Sequence, residues 1–133
     1  ELQPGDLVDV TAGGCVQTGG WGATWKRYVN PIGDNANRRY FAQIDIPGVT
    51  GGLEPLRNHC QFNDPGHPDV CTARFPRPVP AGLPATARVL RLGYPDDDHS
   101  DNGYSGHDDG NQDQCKGVGN AYLTITITHG RAP

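Results

Sequence analysis

Apolar and polar residues alternate in several short runs along the chain. Residues 7–11 (LVDVT), 40–46 (YFAQIDI), 87–94 (ARVLRLGY) and 122–128 (YLTITIT) all approximate a repeat of two. Successive side chains of a strand point to opposite faces, so this period predicts half-buried strands, the last two runs most clearly. Shorter strands are predicted at 25–29 and 53–56. Segments rich in turn formers separate them: 12–24 (AGGCVQTGGWGAT), 31–39 (PIGDNANRR) and Pro47-Gly48, which ends the 40–46 strand. Residues 76–84 (PRPVPAGLP) are too brief for an interdomain linker and read as an edge crossing between sheets. No period of 3.6 persists for three turns, and no internal repeat is present. Many short strands punctuated by turns predict an all-β chain, an antiparallel β-sandwich that is rich in loops.

Composition sharpens this picture. The 133 residues suit one domain spanning 1–133. Gly (19) and Pro (12), the two worst helix formers, argue against a helical bundle, and a hydrophobic content of 35% argues against full disorder. No stretch approaches the roughly 20 apolar residues of a membrane span, so no membrane insertion is expected. A formal charge of −4 disfavours a nucleic-acid partner. The chain opens directly on ELQPGDLVDV with no signal peptide, which reads as a mature or excised domain.

Four cysteines, Cys15, Cys60, Cys71 and Cys115, stand in a small, Gly-rich chain with no Met. An even count in such a chain reads as disulfides in a secreted, extracellular protein. Three pairings are open. The DPGHPD turn between Cys60 and Cys71 would bring those two together. Cys15 would then join Cys115 and tie the Gly-rich loop to a later acidic loop. The alternative, a zinc–thiolate site, lacks any CxxC spacing.

Acidity is concentrated in that later loop. Residues 94–116 hold Asp96, Asp97, Asp98, Asp101, Asp108, Asp109 and Asp113 against one lysine, a charge of −6. Short carboxylates on a backbone broken by Gly and Asn suit a hard cation such as Ca²⁺. Without a cation, so many carboxylates repel one another and raise each other's pKa. No bidentate Glu follows at the twelfth position, so this is not an EF-hand. His99 and His107 keep a His-plus-Asp site for Zn²⁺ or Mn²⁺ as an alternative. A solvated loop is the bland one, disfavoured because a strong strand anchors the loop directly after it.

The chain resembles the PA-I type, LecA-like, calcium-dependent galactose-binding lectins. Three stretches carry the resemblance: QPGDLVDVTAGG at 3–14, FPRPVPAGLPATARVLRLGYPDD at 75–97, and NAYLTITI at 120–127. It implies a galactose-binding-domain-like, jelly-roll type sandwich. It further implies that the strand ending in Tyr-x-Asp gives a calcium ligand from Asp96. Other ligands would come from the following loop, where Asp97, Asp101, Asn102, Asp108 and Asp109 are candidates as a group. A main-chain carbonyl near Thr18 would complete the set. The bound Ca²⁺ then holds two ring hydroxyls of a galactoside. The family's His-Pro-Asp-Gln element finds His67-Pro68-Asp69 only later in the order, and no role is carried to it.

Sugar recognition also needs an aromatic face against the apolar side of the ring. Trp21, flanked by glycines, is the platform candidate, with capping of the sandwich end as its alternative. Trp25 reads as core. Tyr104 inside the acidic loop is a candidate for ring contact or loop packing, and His107 for a hydrogen bond to a sugar hydroxyl. Catalysis is not expected. There is no G-x-S-x-G, no HExxH and no catalytic-Cys signature, and a small sandwich has little space for a glycosidase cleft with two carboxylates. The sequence therefore predicts a secreted, calcium-dependent carbohydrate-binding domain, with a homo-oligomer or a larger parent chain left open. The rival is a structural or adhesive accessory domain of a larger secreted protein in which Ca²⁺ staples the loop, and less so a small secreted hydrolase.

Overall fold

The computed structural model describes residues 1–18, 25–29, 41–96, 99–101 and 117–130. Among them the strands are β1 (Leu7–Gly13), β2 (Cys15–Gln17), β3 (Trp25–Arg27), β4 (Gln43–Asp45), β5 (Glu54–Pro55), β6 (Cys60–Gln61), β7 (Cys71–Phe75), β8 (Arg91–Gly93) and β9 (Tyr122–Thr128). Three 3-10 turns, Leu56–His59, Ala85–Ala87 and His99–Asp101, complete the regular structure, and no α-helix occurs among the described residues. None of their helical turns is long and apolar enough to cross a membrane.

The strands form antiparallel sheets in the orders β6-β7-β1-β9, β2-β3 and β5-β4-β8. In the largest sheet, β1 lies between β7 and β9. Its register sets Val8 opposite Phe75, Val10 opposite Ala73 and Ala12 opposite Cys71, so every second pair is apolar and buried. The intervening pair Asp9 and Arg74 faces solvent at 3.4 Å, an exposed ion pair of small worth. From the β5-β4-β8 sheet, Ile44 and its neighbours Ala42 and Ile46 enter the same buried cluster as β1 and β7, joined by Leu2, Leu56 and Val79. The two sheets thus share one core.

The chain's start is fixed by its Pro4-Gly5-Asp6 turn. Gly5 has φ of 89°, which favours glycine. The Gln3 amide donates to Asp6 Oδ2 at 2.7 Å. The 76–84 crossing packs beside this turn: Gly5 donates to the Val79 carbonyl at 2.7 Å, and Val79 donates back to Asp6 at 2.9 Å.

One expected disulfide is present. Cys60 and Cys71 are bonded, with Cα atoms 5.0 Å apart, and the bond ties β6 to β7. Other expectations shift. The strand expected over 87–94 is reduced to Arg91–Gly93, because a 3-10 turn follows Pro84 and Val89 is exposed. The 40–46 run forms a strand only over Gln43–Asp45. β2, β6 and β7 were not expected. In β7, small inward residues (Cys71, Ala73) had hidden an alternation that the structure makes plain.

Candidate functional site

β2 connects the Gly-rich loop to the end of the acidic segment. Gly14 adopts φ of +80°, and a Cβ there would lie 2.1 Å from the Asn120 carbonyl oxygen. Only glycine lets the two backbones approach this closely. The contact is then locked by main-chain bonds. Cys15 donates to Gly119 at 3.0 Å, and Ala121 donates to Cys15 at 2.8 Å. Cys15 is fully buried against Val118 and is disulfide-bonded; its expected partner, Cys115, lies outside the described residues.

Beside this junction the ends of β2 and β8 and the start of β9 meet around a cleft of about 540 Å³, lined in part by Val16, Tyr28, Leu92, Tyr94, His99 and Tyr122. The rings of Tyr28 and Tyr94 stack with centroids 5.8 Å apart and planes 21° from parallel. His99 donates from Nε2 to the Tyr94 carbonyl at 2.7 Å. A carbonyl oxygen can only accept, so Nε2 carries the proton of that bond. Tyr122 lies across Gly13, whose added Cβ would stand 3.1 Å from the Tyr122 hydroxyl oxygen. The glycine thereby backs the ring, while Tyr122 stays 43% exposed.

Two of the expected metal ligands, Thr18 and Asp96, do not themselves line this cleft but follow residues that do. Thr18 is buried and lies two residues beyond Val16; Asp96 is half-buried and lies two residues beyond Tyr94. At about 3.3 Å per extended residue, each is within roughly 7 Å of chain from a lining residue. Asp101 falls in the His99–Asp101 turn. The oxygen-only chemistry of Thr18 and Asp96 fits a hard cation. Asp97, Asn102, Asp108 and Asp109, and the sugar candidates Trp21, Tyr104 and His107, lie outside the described residues. No group of three His, Cys, Asp or Glu able to hold a metal occurs among the described residues.

Sequence reasoning missed the tyrosines. Tyr28, Tyr94 and Tyr122 each stand at a strand end next to a loop, a signal that was available. It also passed over Lys26, opposite Val16 in the β2–β3 pair. Lys26 is buried, and that burial pulls its ammonium pKa below the ordinary lysine value.

A second cleft, about 360 Å³, holds His67-Pro68-Asp69, Arg27 and the Gly117–Asn120 stretch. Several of its polar groups already bond one another or a neighbour. Arg27 forms an ion pair with Asp69. His67 bonds Asp64 at 3.0 Å, which together with the Gly66 amide holds the Asp64 carboxyl below its ordinary value. Tyr122 lines both clefts.

No family model matches the chain, and no curated protein or solved structure matches it either.

Proposed function

We propose that this chain is a calcium-dependent, carbohydrate-binding domain of a secreted protein, built as a galactose-binding-domain-like β-sandwich. The observation that supports the reading is that both flanks of the 102–116 segment, at His99 and at Ala121, line one tyrosine-lined cleft, with Thr18 and Asp96 each two residues along the chain from a residue that lines it. A Ca²⁺ ion, when bound, supplies coordination positions at which vicinal sugar hydroxyls replace water. Thr18, Asp96 and the acidic segment hold the ion. Tyr122 offers a fixed aromatic face to the apolar side of a sugar ring. His99 Nδ1 accepts from a hydroxyl. The resemblance to PA-I type lectins favours a galactoside as the sugar. A volume of about 540 Å³ suits one or two sugar residues.

A second reading has its own support. The segment's exit is already tied by Cys15 through main-chain bonds and buried packing. A cation that only staples this segment would make the chain a structural or adhesive accessory domain. A glycan array, run with and without EDTA, separates the two. Binding that EDTA abolishes supports the lectin reading. Calcium binding with no glycan retained on any spot supports the staple.

A further inference from the structure

The largest sheet has two unequal edges. β6, at one edge, is two residues long and bonded to its neighbour through Cys60–Cys71. β9, at the other edge, runs for seven residues and pairs with β1 alone among the described residues. A long edge strand exposes a row of backbone donors and acceptors. Proteins ordinarily guard such edges with charge, proline or a bulge. β9 carries none of these. Its residues pair with β1 one to one from Tyr122 to Thr128 without a bulge. From Val118 to Thr128 there is no charged residue in a chain of net charge −4.

The sequence of β9 is compatible with its own reverse. Place two copies antiparallel about Ile125, and Tyr122 meets Thr128, Leu123 meets Ile127, and Thr124 meets Thr126. All seven residues pair, with apolar residues opposite apolar ones on the inner face and mainly threonines opposite each other on the outer face. The pairing covers Ile127, which is 40% exposed in the single chain. It also brings no like charges together, so two acidic molecules meet at an uncharged edge. From this we infer that β9 pairs with β9 of a second copy across a two-fold axis, joining the two four-stranded sheets into one. The interface is isologous, as closed dimers require. Cross-strand Ile–Leu and Thr–Thr pairs supply its specificity. The inference does not depend on calcium or on sugar binding.

Charge reversal across the axis provides the test, read by sedimentation equilibrium over a concentration series. The unaltered protein should move from one to two chain masses as concentration rises. A variant carrying both Thr124→Lys and Thr126→Lys sets two like-charge pairs opposite each other. It should need at least about tenfold higher concentration to dimerise. Thr126 lies opposite Asp9 of its own chain, so a lysine there is accommodated in the monomer. A second variant with Thr124→Glu and Thr126→Lys places opposite charges across the axis and should restore the dimer. A protein that stays at one chain mass at every concentration overturns the inference. So does a dimer that the lysine pair leaves unchanged, or an acid–base pair that fails to restore association.

Discussion

The ring of His129 donates from Nδ1 to Asp6 Oδ1 at 2.8 Å, joining residues 123 positions apart in the chain. Asp6 is almost wholly buried beneath the first turn, and His129 follows the last strand. The two ends meet closely, since a Cβ on Gly130 would lie 2.2 Å from the Gly5 carbonyl oxygen. Pro4-Gly5-Asp6, which enters the resemblance as a motif, is therefore a clasp between the termini of the sheet.

Burial alone would raise the Asp6 carboxyl pKa. The Gln3 amide and the His129 ring more than offset it and hold the carboxyl below the ordinary 3.8. A lowered carboxyl stabilises the fold above its unfolded value, and that stability is lost as pH falls through the folded value. Asp6→Asn should therefore flatten the loss of stability below pH 3.8 seen in the unaltered protein. His129→Ala should cost about 1 kcal/mol at neutral pH, because half of this pair is open to water. Urea titrations at a series of pH values check both.

How much of this was legible in sequence varies by element. β1 and β9 alternate with large inward residues (Val8 and Val10, Leu123 and Ile125), and their positions could be read from the pattern. β7 alternates as strictly, but its inward residues are Cys71, Ala73 and Phe75, and small side chains leave a weak hydrophobic signal. The 87–94 run alternates without forming a full strand. Pro84 and the turn after it hold its first half out of the sheet, a tertiary effect that periodicity cannot register. At the site, sequence put the acidic segment and the Gly-rich loop together through an expected Cys15–Cys115 bond. The described structure joins them at Gly14 and Asn120, through a positive φ that composition alone does not locate. The expected aromatic candidates, Trp21 and Tyr104, read from sequence as loop residues and lie outside the described residues; the aromatics that line the described cleft, Tyr28, Tyr94 and Tyr122, stand at strand ends.

Reducing the Cys60–Cys71 bond should lower stability. The bond closes a loop with a sequence separation of 11. Chain-entropy reasoning gives roughly 3 kcal/mol for a loop of that order. Replacing both cysteines with serine should lower the urea midpoint accordingly, while non-reducing peptide maps of the unaltered protein recover Cys60 and Cys71 in one linked fragment. A map that links Cys60 to Cys15 would contradict the pairing.

Gly14→Ala should be among the most damaging single changes. The backbone there favours glycine, and the new methyl group would fall inside the Asn120 carbonyl. Strain and clash together are expected to cost about 3 kcal/mol or more. Gly117, also at positive φ but with no atom near its Cβ position, should cost only about 1 kcal/mol on the same change. Thermal melts of the two variants, side by side, separate the close approach from the backbone preference.

The sharpest test of the proposed site contrasts a metal ligand with an aromatic face. Asp96→Ala removes a carboxylate that belongs to the proposed calcium set, so calcium and glycan affinity should fall together. In the unaltered protein, millimolar Ca²⁺ should raise the melting temperature and EDTA should reverse it, because a ligand bound only by the native state stabilises that state by mass action. Tyr122→Ala touches no proposed ligand. It should weaken a bound galactoside by about 1 kcal/mol, the scale of one aromatic contact, and leave calcium affinity unchanged. Calorimetry with CaCl₂, then with methyl galactoside in the presence of Ca²⁺, reads both arms. If Tyr122→Ala keeps full glycan affinity while Trp21→Ala loses it, the sugar ring stacks on the Gly-rich loop instead of on β9. If Asp96→Ala leaves calcium affinity unchanged, the cation is held elsewhere and the cleft loses its claim to the site.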